Sequence, residues 1–325
     1  MKEEVLCKVA VMDLGSQTFR LVAGQIDSEG ARVIFSMRKN VRIGRSLRAT
    51  GRFSRKSIER GLAALKEFKE VLARYSIEKF GAYATEAFRK AKNVSEFTEE
   101  ARKIGINIEI LTPEEEAKVA ASGAYLTVSG LDKEWLMLDS GGGSTELVLS
   151  RGREVLAWKS MPVGAVNLTE ELIEGHGFEP DRLRSLAAEK VRRWFGPLKE
   201  DFGKARKVVA TGGTATTVAA VALGLSEYDP KKVRGFTIDE GELTRLFYQI
   251  SEADIETRRS ITGLEPERAD IFPAGIAILL EIIRYLGLKK LIISDGGILL
   301  GLLAASIEKE CDFYVEPSCA RGLYL

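Results

Sequence analysis

Two acids bracket a run of glycines and hydroxyls in Asp139-Ser140-Gly141-Gly142-Gly143-Ser144-Thr145-Glu146. Consecutive glycines let backbone N–H groups converge on an anion without interference from Cβ atoms. The flanking carboxylates suit a hard cation with oxygen ligands, and phosphate with Mg²⁺ is the simplest ligand for that combination. A glycine-rich hairpin turn would explain one such run equally well. The pattern occurs twice, however: Asp13-Leu14-Gly15-Ser16-Gln17-Thr18-Phe19 repeats the acid, the glycine and the hydroxyls.

A third glycine loop, Thr211-Gly212-Gly213-Thr214, precedes a helical pattern from Ala215 to Leu223. A helix N-terminus behind glycines can bind an anion. A fourth loop, Ser294-Asp295-Gly296-Gly297, opens a helix over Leu299 to Glu308, and such junctions are also common as plain structure. In Thr112-Pro113-Glu114-Glu115-Glu116-Ala117, Thr112 predicts an N-cap, Pro113 the first helical position and Glu115 the return bond of a capping box. Glu114 suits the positive end of the helix dipole. Glu116 has no such role. Its face continues through Ala120 and Gly123, whose small side chains would leave room for a ligand. A glutamate there could act as general base for a water, or be an ordinary solvated helix residue.

These loops need strands and helices to hold them. Val9-Ala10-Val11-Met12 leads into the first loop, and the alternating Arg20 to Ile26 follows it. Trp135-Leu136-Met137-Leu138 and Leu147-Val148-Leu149 do the same around the second. A third strand-like stretch comes next in each copy, Ala31 to Met37 and Glu154 to Ser160. Ile58, Leu62, Leu65, Phe68 and Leu72 then recur at helical spacing. The chain therefore reads as two βββ-then-α units, a duplication that sets the architecture. Two such units facing each other predict a cleft with a phosphate loop on each wall.

At 325 residues the chain is long for one core. Apolar content of 45% and charged content of 29% fit a globular protein. A net charge of +1 argues against a nucleic-acid-coating surface. The basic run Arg38 to Arg55 reads as a solvated face, which could also extend a polyanion path outward. Cys7, Cys311 and Cys319 lack metal-ligand spacing, leave an odd thiol and fit a reducing, cytoplasmic compartment. The start Met1-Lys2-Glu3-Glu4 has no apolar signal region, and no membrane span is expected. The single histidine, His176, lies in a turn-like stretch and is assigned no chemistry. Asn and Gln are scarce beside Lys, Arg and Glu, as in many thermophile proteins.

With these segments in view, the chain resembles the exopolyphosphatase/guanosine pentaphosphate phosphohydrolase family of the actin–Hsp70–sugar-kinase superfamily. The matching segments are Val11 to Leu21, Ala84 to Arg89, Thr112 to Ala117, Leu138 to Leu147, Met161 to Thr169 and Ala210 to Thr214. Arg268-Ala269-Asp270, Pro273-Ala274-Gly275 and Ser294-Asp295-Gly296 complete the set. The resemblance implies an α/β fold of two ribonuclease-H-like (actin-like ATPase) domains flanking a cleft. It places residues 1–121 plus 303–325 in the first and 122–302 in the second.

The resemblance further implies Glu116 as catalytic base and Asp139 and Glu146 at a Mg²⁺ site, with Mn²⁺ or a monovalent cation as further options. Gly141, Gly142, Gly143 and Ser144 match the main phosphate loop, and Asp13, Gly15, Ser16, Gly212, Gly213 and Thr214 line the other sides. Arg20, Arg89 and Arg268 match arginines that hold phosphate, a role suited to planar guanidinium groups; surface salt-bridging is the alternative for Arg89 and Arg268.

Gln17 and Ser140 depart from the family pattern without removing a charge or donor. The chain stops after one domain pair, whereas long members append a helical domain, so tight processive binding of long polyphosphate is not expected. The implied activity is release of terminal phosphate from inorganic polyphosphate or guanosine pentaphosphate, with interdomain motion gating access. The expected protein is a cytoplasmic monomer or homodimer without nucleic-acid or membrane partners. The alternatives are a superfamily kinase and a non-enzymatic alarmone- or nucleotide-binding module.

Overall fold

The computed structural model describes residues 7–27, 30–176, 179–195, 202, 205, 207–312 and 315. The side chain of His176 and all of Cys319 lie outside the described residues. Two compact units divide the chain, Met1–Leu126 with Ile298–Leu325, and Thr127–Gly297.

The first unit opens with an antiparallel meander of β1 (Cys7–Leu14), β2 (Thr18–Asp27) and β3 (Gly30–Asn40). Helices α1 (Leu47–Thr50) and α2 (Arg55–Arg74) lead to β4 (Phe80–Ala84), which lies parallel to β1. Helices α3 (Glu86–Lys90) and α4 (Val94–Lys103) lead to β5 (Ile108–Ile110), parallel to β4, and then to α5 (Pro113–Thr127). The sheet order is β3-β2-β1-β4-β5. β1 is buried from Val9 to Leu14, as expected of a central strand covered on both faces. On α2, Leu65, Phe68 and Leu72 are buried and Ile58 and Leu62 pack against the same core, which matches the helical spacing read from the sequence. Phe19, Phe53, Phe88 and Phe97 interlock with ring centroids 5.2 to 6.5 Å apart. Truncating one such buried ring costs about 3–5 kcal/mol, so this cluster fixes α3 and the β1–β2 hairpin firmly.

The second unit repeats the plan. β6 (Glu134–Ser140), β7 (Thr145–Arg151) and β8 (Glu154–Met161) form a meander followed by α6 (Ala165–His176) and α7 (Pro180–Phe195). β9 (Lys207–Thr211) runs parallel to β6 and enters α8 (Gly212–Ala222). The remaining elements are α9 (Pro230–Val233), β10 (Thr237–Asp239), α10 (Glu240–Glu252), α11 (Ile255–Arg259), α12 (Phe272–Leu286) and β11 (Lys290–Ile293). The sheet order is β10-β11-β9-β6-β7-β8. The second and third strands of each meander even share a register shift, at Ala23/Gly24 in β2 and Leu149/Ser150 in β7. Both sheets have the ribonuclease-H-like arrangement, and the two βββ-then-α units of the sequence are present.

The last helix, α13 (Ile298–Cys311), returns to the first unit and packs on β1 and β2. A disulfide joins Cys7 to Cys311, with the Cα atoms 5.8 Å apart. This corrects the reading of the cysteines as reduced thiols. Their separation of 304 residues hides the pairing from sequence, and only the return of α13 onto β1 makes it feasible. No helix among the described residues is long and apolar enough to cross a membrane.

Candidate active site

In the second unit the glycine loop closes the β6–β7 hairpin, with the Gly141 amide donating to the Ser144 carbonyl at 2.9 Å. Asp139 and Glu146 occupy opposite positions of the ladder. Residues so paired have Cβ atoms about 5 Å apart on one face of the sheet, so both side chains leave the hairpin on the same face. Glu146 is buried and accepts a hydrogen bond from Ser160 Oγ at 2.8 Å. The Asp139 carboxylate lies against the backbone of Gly212, where a Cβ would fall 2.2 Å from Asp139 Oδ1. Gly212 also has φ +84°, so two constraints require glycine there.

Helix α8 begins at the same loop. Thr211 is its extended N-cap residue and makes no side-chain cap. Its hydroxyl instead donates to the Gly296 carbonyl at 3.1 Å, while Thr214 Oγ1 donates to the Ser140 carbonyl at 3.0 Å. The first-turn amides from Gly212 to Thr214 have no intrahelical acceptor, and the helix dipole favours an anion beside them. Arg268 adds a cation. Its guanidinium rests on Gly213, where a Cβ would fall 2.1 Å from Nη1, and its Nε donates to Glu265 at 3.1 Å.

The fourth glycine loop directs its polar groups inward. Ser294 Oγ lies 2.6 Å from Thr127 Oγ1 and accepts from the Gly296 amide at 3.0 Å. Asp295 takes a two-point bond from Arg234 at 2.6 and 2.9 Å. These bonds make the loop a structural support that holds the Thr211 turn from behind.

The first unit shows the same hairpin with different charge. Gly15 donates to the Thr18 carbonyl at 3.1 Å, and Asp13 stands opposite Arg20, which donates to it from Nε at 2.9 Å and from Nη2. This pair is neutral where Asp139 and Glu146 are doubly acidic. Beyond the parallel strands β4 and β5, at the same carboxyl end of the sheet, lie Arg89 on α3 and Glu116 on α5. Ligands of open α/β sheets collect at that end. Arg89 Nη1 donates to Glu116 Oε2 at 2.8 Å and to the Leu111 carbonyl at 2.6 Å. The Glu116 side chain is 18% exposed.

The cap of α5 is as read from sequence. Glu115 N donates to Thr112 Oγ1 at 3.2 Å and Thr112 N to Glu115 Oε2 at 2.8 Å. The bond from the Thr112 backbone holds the Glu115 carboxyl below its ordinary pKa. Ala120 and Gly123, however, are buried. Beside this face, α13 approaches the neighbouring Val119 closely: a Cβ on Gly301 would fall 1.9 Å from the Val119 carbonyl oxygen. The expectation of room for a ligand along Ala120 and Gly123 is corrected accordingly.

The structure thus gathers Asp139, Gly141 to Ser144, Glu146, Gly212 to Thr214 and Arg268 in the second unit. In the first it groups Asp13, Gly15, Ser16 and Arg20 in one hairpin and Arg89 with Glu116. Sequence reading missed Ser160 and Arg234. Ser160 could have been found from the β7–β8 register, which sets it opposite Glu146, but Arg234 carries no local signal. In the basic run, Lys39, Arg52 and Arg55 form surface pairs with Glu67, Glu96 and Glu59.

Among the described residues no group of three or more His, Cys, Asp or Glu side chains could enclose a metal. Two carboxylate side chains on one face of a hairpin fit Mg²⁺, which usually takes one or two carboxylates and completes its shell with water and substrate phosphate. The donor set is all oxygen, as that ion prefers.

A family model described as the Ppx/GppA phosphatase family matches residues 22–310. Exopolyphosphatase 2 of Mycobacterium tuberculosis is 29% identical over 315 residues, covering 91% of this chain and 98% of that protein. A guanosine-5'-triphosphate,3'-diphosphate pyrophosphatase of Aeromonas hydrophila is 29% identical over 309 residues, which are 93% of this chain and 60% of that protein. Among solved structures, a Ppx/GppA family member from Aquifex aeolicus is 33% identical, with a TM-score of 0.78 and coverage of 94% of this chain and 99% of that one.

Proposed function

The chain belongs to the Ppx/GppA phosphatase family, and from its site geometry we propose a Mg²⁺-dependent hydrolase that releases terminal phosphate from a linear phosphoanhydride. The substrate classes are inorganic polyphosphate and guanosine pentaphosphate. The names of the Mycobacterium tuberculosis and Aeromonas hydrophila relatives support both. The observation that carries the reading is the facing pair Asp139 and Glu146 beside an amide-rich loop. It suits a metal–phosphate complex and has no comparable role in a plain hairpin.

Phosphoryl transfer needs positioning and charge neutralisation more than covalent help. Asp139 and Glu146 would hold Mg²⁺, which supplies charge neutralisation at the phosphate oxygens when bound. The amides of the glycine loop and of the α8 N-terminus bind the phosphate oxygens, and Arg268 adds a fixed cation. Glu116, held by Arg89, takes a proton from a water whose oxygen attacks the terminal phosphorus. The bond from that phosphorus to the bridging oxygen breaks, the bridging oxygen leaves with the shortened chain, and inorganic phosphate departs. General-base assistance of this kind is worth ~10²–10⁴-fold.

Phosphate release from polyphosphates of several lengths, guanosine pentaphosphate and ATP, with and without Mg²⁺, tests the reading. Release from either of the first two, dependent on Mg²⁺ and needing no acceptor, is expected. Release only in the presence of an acceptor would point to a kinase.

A further inference from the structure

We propose that Asn167 is a positioning residue that fixes the peptide orientation of the glycine loop. The proposal rests on reading that loop as a phosphate site. A trans peptide is planar, with its C=O and N–H pointing in opposite directions. Whatever binds a loop carbonyl therefore decides where the next residue's N–H points. The Gly141 carbonyl accepts from the Ala165 amide at 2.9 Å. The Gly142 carbonyl accepts from Val166 at 2.9 Å and Asn167 at 3.3 Å. The Gly143 carbonyl accepts from the Asn167 side chain, Nδ2, at 2.7 Å. Three successive carbonyls are thus drawn toward the first turn of α6. The N–H groups of Gly142, Gly143 and Ser144 are turned the other way, and they donate to no acceptor among the described residues.

Gly164 makes this approach feasible. A Cβ there would fall 2.4 Å from the Gly142 carbonyl oxygen and 2.5 Å from the Gly143 nitrogen, both backbone atoms that cannot yield. The first unit uses the same device. The chain leaving β3 returns to its hairpin, where Gly44 donates to the Ser16 carbonyl at 3.0 Å, and Val41 and Arg42 donate to the Gln17 carbonyl at 3.0 and 2.7 Å. Arg42 adopts the left-handed region (φ 50°, ψ 46°) to do so, and a Cβ on Gly44 would fall 3.2 Å from Ser16 Cβ. That conformation is costly for a non-glycine residue and persists where the surroundings impose it. In both copies the segment after the third strand holds the loop carbonyls. In the second, one of the three carbonyls is held by a side chain, so Asn167 can be changed without altering the backbone.

Asn167→Leu removes the donor at similar volume, and Asn167→Gln keeps a carboxamide. Binding of inorganic phosphate, which is not turned over, is measured by calorimetry in Mg²⁺ beside the melting temperature and the KM for tripolyphosphate. The Leu variant is expected to weaken phosphate binding and raise KM about tenfold, the worth of one hydrogen bond to a charged ligand. Its melting temperature should hold, and the Gln variant should recover most of the affinity. Asn167→Ala replaces the Leu variant if that one does not fold. Unchanged affinity in the Leu or Ala variant overturns the proposal alone, as does an equal loss in the Gln variant. Wild-type protein that binds no phosphate overturns the functional reading and this proposal together.

Discussion

Asp139 stands opposite Glu146 across the β6–β7 ladder at the same register position where Asp13 stands opposite Arg20 across β1–β2. One duplicated hairpin has therefore become a neutral pair and the other a doubly acidic pair. Opposed like charges cost about 0.2–1 kcal/mol in a sheet, and a shared cation reverses that sign. Glu146→Gln should raise the Mg²⁺ concentration for half-maximal activity by about tenfold or more, since a charged oxygen ligand is lost. The melting temperature in chelator should not fall. A metal titration followed by phosphate release reads the first outcome, and a thermal melt in chelator reads the second.

Arg89 and Glu116 form one unit, so their substitutions should not add. Arg89→Ala is expected to lower kcat about tenfold by releasing the carboxylate. In a Glu116→Gln background the same change should have little further effect. A steady-state double-mutant cycle measures this. A further tenfold rise in KM in the double variant would assign Arg89 to the phosphate instead.

Gly213 and Arg268 make a second coupled pair. A Cβ on Gly213 would occupy the place of the Arg268 guanidinium, whose flexible end can move aside. Gly213→Ala should therefore reproduce the KM rise of Arg268→Ala, with no added penalty when the two are combined. Parallel KM measurements on the three variants check it.

The Cys7–Cys311 bridge ties α13 to β1 and closes nearly the whole chain into one loop. Bridges of this kind stabilise by about 2–5 kcal/mol. Reduction, or Cys311→Ser, should lower the unfolding temperature while leaving kcat at low temperature unchanged, because Cys7 begins β1 and Asp13 lies near its far end. Thermal melts with and without a reductant read this directly. Such bridges are rare in intracellular mesophile proteins but common in hyperthermophile ones.

What the sequence revealed was local. The hairpins were legible because an acid, glycines and hydroxyls lie between alternating apolar strands. The α5 cap was legible because Thr112 and Glu115 are three residues apart. The duplication supplied the architecture. Pairings across long separations left no such mark: Arg89 reaches Glu116 over 27 residues and Arg234 reaches Asp295 over 61. The Ala120 and Gly123 face misled for the same reason. Small residues at helical spacing serve close packing as readily as ligand access, and the burial of Ala120 and Gly123 in the fold decides between them.

Turnover by Glu116→Gln reads the role of Glu116 as general base. Phosphate release from polyphosphate and guanosine pentaphosphate is measured in Mg²⁺ for this variant and wild type. With Glu116 as general base, kcat falls by ~10²–10⁴-fold and KM stays within a few-fold. A variant that turns over within a few-fold of wild type would remove Glu116 from the reaction.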